Sequence, residues 1–221
     1  MSVAGATQST TELEDEIERG LMDMLSGDDV DKRRSASAFL ENDWKTRSKH
    51  LNALKWWTLK TNATVIYDST TDEFTRDGLF YKVFGKPNVA IIGFTTDGYV
   101  FGGFYSRAVT DLQDPYSRDP NILALSFESR GRCATPQKFA VIERLKWRMV
   151  VRFVKDDSGA FVQFGDNNSW FSLGNEKSKL RCKDLSRAFE GLGDWTLSGK
   201  NRGRYKIFFH HCTRVLAVHL S

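Results

Sequence analysis

At 221 residues, with 40% hydrophobic and 13% aromatic content, the chain suits one packed core domain with an appendage. No apolar run approaches the ~20 residues of a membrane helix, and the N-terminus has neither the basic start and apolar middle of a signal peptide nor a glycine after Met1 for myristoylation. The net charge of +4 conceals an asymmetry: residues 1–31 hold nine acids and one base, Arg19, leaving a net +12 on residues 32–221. An acidic tail beside a basic body is either a solubilising segment or a competitor for whatever acidic partner the body binds.

In chain order, residues 1–10 are small and polar, which predicts disorder. A capping box at Thr11-Glu12-Leu13-Glu14 opens a predicted helix whose stripe is Leu13, Ile17, Leu21 and Met24, and Gly27 ends it. The division expected is an acidic segment over 1–36 and a body over 37–221 that carries its own leading helix, with Leu40, Trp44, Leu51 and Leu54 on one side and Lys45, Arg47 and Lys49 between them. Lys55-Trp56-Trp57 marks the end of that helix.

The remainder reads as short strands. Residues 64–67 form a strand, 68–77 a solvated polar loop, and 79–84 a helical turn stopped by Gly85 and Pro87. Residues 89–105 organise the whole: two apolar runs flank Asp97-Gly98, a type I′ hairpin signal. Both faces of the first run are apolar, so it is covered on both sides. Gly102-Gly103 then interrupts the second run between Phe101 and Phe104, marking a bulge or a close backbone approach. Residues 110–120 read as loop, and 121–127 and 138–142 as extended. Trp147, Met149, Val151 and Phe153 alternate with Arg148, Val150, Arg152 and Val154 as a half-buried strand with a basic edge. Turns at 157–159 and 165–168 flank a strand over 160–164, and strands over 170–173, 205–209 and 214–220 complete the set. About ten strands with one or two helices predict an α+β domain built on a β-sandwich of two mainly antiparallel sheets.

Signatures of catalysis are scarce. Residues 193–200 have five residues between the glycines rather than the four of a phosphate loop, and Asn201 stands where a magnesium-holding Ser or Thr belongs. His210 and His211 are neighbours on a strand and point to opposite faces, so with Cys212 and His219 they make a poor metal set. Asp68, Asp72, Glu73 and Asp77 lack the EF-hand pattern. No cofactor, metal or catalytic residue is expected. Cys133, Cys182 and Cys212 are odd in number and far apart, which implies reduced thiols, an intracellular compartment (cytoplasmic or nuclear) and unused sequons at Asn62 and Asn167.

What remains are basic segments: Lys45, Arg47 and Lys49; Arg130 and Arg132; Arg144, Lys146, Arg148 and Arg152; and Lys200, Arg202 and Arg204. Clustered positive charge attracts nucleic-acid phosphates by counterion release and acidic protein surfaces equally well. Composition leaves both partners open.

The order of several short pieces resembles the TLDc domain of oxidation-resistance-type proteins. They are Val65-Ile66-Tyr67-Asp68-Ser69, Val83-Phe84-Gly85, Val100-Phe101-Gly102-Gly103-Phe104, the loop and strand over 119–127, and Phe164-Gly165-Asp166. The match runs over about residues 55–220 and is nearest to divergent protist members. The resemblance implies a β-sandwich with flanking helices and a non-enzymatic role in protection against oxidative stress. In several members it also implies binding to the vacuolar proton ATPase, so a subunit of that enzyme is an implied partner. The final strand departs from the family pattern: Ala217 stands where the family carries an acid.

Overall fold

A computed structural model describes residues 48–131, 133, 136–154, 159–175, 180–194, 196–198 and 207–221. The acidic segment and the start of the leading helix lie outside them. Helix α1 (Ser48–Thr58) is followed by β1 (Ala63–Asp68), α2 (Arg76–Val83), β2 (Val89–Thr95) and β3 (Val100–Tyr105). Then come β4 (Tyr116–Arg118), β5 (Leu123–Glu128) and β6 (Gln137–Ala140), a 3-10 helix over Glu143–Arg148, and β7 (Val150–Phe153). The chain continues through β8 (Ala160–Gly165), β9 (Trp170–Gly174), β10 (Leu180–Lys183), a short 3-10 turn over Leu185–Arg187, β11 (Ile207–His210) and β12 (Cys212–Leu220).

The strands form two six-stranded sheets, ordered β1-β12-β2-β3-β5-β6 and β11-β10-β9-β8-β7-β4, with every pair antiparallel. The fold is an α+β sandwich. Its organising hairpin is β2–β3, in the middle of the first sheet, and β2 is buried along nearly its whole length because both faces are apolar. The turn is not type I′, since only Gly98 has positive φ (76°). Gly98 N donates to Thr95 O at 3.0 Å, and Thr95 N donates to Tyr99 O at 2.9 Å. The loop therefore spans 96–98 and ends in one left-handed residue, the three-residue hairpin alternative.

The two sheets meet through aromatic rings. Phe101 on β3 packs edge-on to Phe171 on β9 at 6.1 Å between centroids, and Phe171 stacks on Phe164 of β8 at 5.2 Å. Gly103 is what lets β3 approach: a Cβ there would lie 2.5 Å from the Phe164 ring. At Gly102 a Cβ would fall 2.0 Å from the carbonyl oxygen of Ile91 on the paired strand. The close approach expected from the paired glycines is thus made twice, once to a ring and once to backbone, and the β3–β5 register shifts just before them, between Val100 and Phe101. On the other face of the first sheet, α1 lays Leu54, which is fully buried, and sets His50 and Trp57 against Phe127.

Three further expectations differ from the structure. The stretch 110–120 is not all loop, because Tyr116–Arg118 pairs with β7 as an edge strand. Three residues are too few to show a period. The alternation from Trp147 to Val154 is only half a strand: Met149, Val151 and Phe153 are buried as expected, but residues 143–148 coil into the 3-10 helix and Trp147 is 74% exposed. Finally, Asp68 is not a solvated loop acid. It is buried and accepts from the Arg214 guanidinium.

Candidate functional site

The register of the second sheet's outer edge builds an open groove of about 460 Å³. On its edge strand, Tyr116 pairs with Arg152 and Arg118 with Val150; on the other side, Val150 pairs with Gly165. Alternation therefore brings Tyr116, Arg118, Val150 and Arg152 to one face, turned away from the buried Val151 and Phe153. The 3-10 helix supplies Trp147 and Arg148 above them, and the β8–β9 turn supplies Asp166, Asn167 and Asn168.

Arg152 and Arg148 were both expected at a basic edge, and both line this groove, joined by Arg118. None of the three makes an ion pair with a described residue. The Arg152 guanidinium lies 5.9 Å from the centre of the Tyr116 ring, within cation–π range, so it is oriented while its donor edges stay open. Asp166 is committed to the turn, its Oδ1 accepting from Asn168 N at 2.9 Å and Ser169 N at 2.7 Å. A large exposed ring beside guanidiniums that pair with no described carboxylate has no structural need to be there. Binding sites are where such pairs concentrate.

The other basic residues do not join this groove. Lys146 is 2.6 Å from Glu143, one turn back in the 3-10 helix, and Arg144 is exposed outside the groove lining. Arg130 Nη1 donates to Asp97 O at 2.9 Å, so it staples the β5–β6 loop to the hairpin turn of the first sheet. Arg130 therefore lies in a loop of the first sheet, whereas Arg148 and Arg152 lie in the 3-10 helix and on β7 at the edge of the second. Lys45, Arg47, Arg132, Lys200, Arg202 and Arg204 lie outside the described residues, as does the Lys49 side chain. Sequence reasoning missed Tyr116, Arg118 and the exposure of Trp147. No sequence signal was available for them, since a three-residue strand shows no period.

Several buried or half-buried carboxylates tie strands and loops together. Asp68 on β1 receives Arg214 Nε from β12 at 2.9 Å and a second bond from Arg214 Nη2, while Phe94 lies 5.4 Å from the guanidinium. Asp72 accepts from Asp68 N and pairs with Lys82 at 2.9 Å. Asp119, fully buried, accepts from the amides of Ser106, Arg107 and Asn121, fastening the chain after β3 to the chain after β4. Burial pushes the Cys182 and Cys212 thiols up to about 12, with Ser198 donating to the Cys182 sulfur and partly offsetting the rise there. Neither can serve as a thiolate near neutrality. Cys212 faces the sandwich interior: its sulfur would stand 2.9 Å from a Cβ on Gly93. Among the described residues, no three His, Cys, Asp or Glu side chains gather as metal ligands, and no helix is long and apolar enough to cross a membrane.

Compared with known proteins, the chain matches no family model, and no curated protein is significantly similar to it.

Proposed function

We propose that this protein is a non-enzymatic interaction module that docks a protein partner in the groove between β4 and the 3-10 helix. The observation that supports the reading is the set of Arg118, Arg148 and Arg152, which make no ion pair with a described residue, beside an exposed Trp147. Interface hot spots are enriched in these two residue types: Trp buries a large rigid ring, and Arg brings a planar fork that engages acceptors bidentately. The resemblance to TLDc proteins adds the proposal that the partner belongs to an oxidative-stress response or is a subunit of the vacuolar proton ATPase.

The test is affinity purification with wild-type chain and with Arg148→Glu/Arg152→Glu, each with and without nuclease. A partner held by the wild type, lost in the variant and indifferent to nuclease is the expected outcome. A partner retained equally by the variant removes the groove from the account.

The second reading, a nucleic-acid-binding regulator, draws on the same interleaving of rings and guanidiniums, since single-stranded bases stack on exposed aromatics. It requires duplex or single-stranded DNA affinity that falls steeply between low and moderate salt and is weakened by the same double charge reversal.

A further inference from the structure

We infer that the groove recognises one phosphorylated side chain on an extended segment of the partner, rather than a run of negative charge. The inference rests on the protein-docking reading above and names its ligand chemistry.

It starts from where the charges stand along the strands. At one end of the groove the register sets Tyr116 across from Arg152, and Asp114 lies two residues before Tyr116. At the other end Arg118 is across from Val150, which pairs in turn with Gly165, the residue before Asp166. Trp147 and Arg148 enter over that second end, just ahead of β7. Positive charge is therefore bracketed by a carboxylate at each end. A polyanion threaded along the groove would have to pass both carboxylates, since Asp114 and Asp166 line it. A single anionic group seated between them meets mainly the guanidiniums. The bracket thus selects a point charge over a chain of them.

The valence of that point charge follows from the donors. A side-chain carboxylate carries one charge and is satisfied by one guanidinium. Three guanidiniums lacking ion-pair partners among the described residues suit a phosphomonoester, which carries about −1.5 to −2 at neutral pH and offers three acceptor oxygens. The bases lining the groove are all arginine, whose planar fork engages phosphate bidentately, whereas lysine presents only a point charge. The groove also has room for the ligand's surroundings. Trp147 offers an apolar wall for a side chain next to the phosphate, Val150 is half-buried between the arginines, and Asn167 and Asn168 expose amides able to pair with peptide backbone.

The experiment uses the full chain and four fluorescent probes: peptide pools with degenerate flanks and a fixed central phosphoserine, serine or glutamate, and an oligo-dT of about 12 nucleotides. Anisotropy is the readout, and circular dichroism checks that Arg118→Ala, Arg148→Ala, Arg152→Ala and Trp147→Ala, all at exposed positions, remain folded. The phosphoserine pool is expected to bind roughly tenfold or more tighter than the serine and glutamate pools. Its affinity should rise from pH 5 to pH 7 as the second phosphate proton leaves near pH ~6, and each arginine variant should weaken it severalfold. Equal binding of the glutamate pool, lost in the arginine variants, overturns the phosphate inference and leaves protein docking in the groove standing. Tighter binding of oligo-dT through the same arginines overturns both. Binding of none of the probes overturns the inference, and the docking reading then stands or falls on the purification described above.

Discussion

Asp68 and Arg214 meet inside the first sheet's outer pair of strands, and the cost of separating them is set by burial rather than by attraction. Arg214 is 3% exposed, and its Nη1 has no hydrogen-bond partner among the described residues, so the guanidinium is held by Asp68 and the Phe94 ring together. Removing one partner strands the other charge without water, so Asp68→Ala should lower stability by ~3–5 kcal/mol in urea unfolding. Replacing both, as Asp68→Leu/Arg214→Met, should cost clearly less than the sum of the two single changes. The thiols make a second prediction. Native protein should expose one reactive thiol, the half-buried Cys133, to a disulfide reagent, and all three only after unfolding. Cys182 and Cys212 keep their protons in the folded state up to about pH 12, whereas in the unfolded chain they lose them near 9. The folded state then binds more protons than the unfolded one over that window, so stability falls as pH climbs from 9 towards 12. The buried Tyr67 and Tyr105 hydroxyls, also raised mainly by desolvation, push in the same direction. A melting temperature that held level from pH 8 to 11 would contradict this.

At the scale of elements, the two glycines of β3 are not equivalent. Gly103→Ala drives a methyl into the Phe164 ring, a side chain that can yield, and overpacking of that kind costs ~1–3 kcal/mol. Trimming the obstacle should recover part of the loss, so Gly103→Ala/Phe164→Leu should melt above the value expected from adding the two single changes. Gly102→Ala meets the Ile91 carbonyl instead, which cannot move without opening the β2–β3 ladder, and should be the more damaging of the pair. The central hairpin and its notch were legible because their signals are local: apolar runs on either side of Asp97-Gly98 and glycines where a strand should have side chains. The candidate groove was only half legible. Arg148 and Arg152 stood out as bases, but Tyr116 and Arg118 matter only because β4 pairs with β7, and no three-residue segment announces its partner. Trp147 reads as strand because its spacing to Met149, Val151 and Phe153 obeys a period of two, although the backbone is still helical there.

Over the whole molecule, what the linear pattern conveyed was the number of layers and the antiparallel character, since most strands carry their own alternation. It did not convey strand order. β10 went unread because Leu180-Arg181-Cys182-Lys183 is short and lies beside a charged stretch, and the buried fate of Asp68 was hidden because its partner stands 146 residues away. That distance has a consequence for how the molecule is made. β1 has a single ladder neighbour, β12, and β12 also completes the pairing of β2. Early in synthesis, two hydrogen-bonding edges of this sheet therefore wait uncovered for a strand that leaves the ribosome after all the others. During that interval the nascent protein presents a template to any extended chain nearby, and Asp68 waits without its counter-charge. Shielding by a chaperone would matter most in that window, before the closing strand slides into the gap between them.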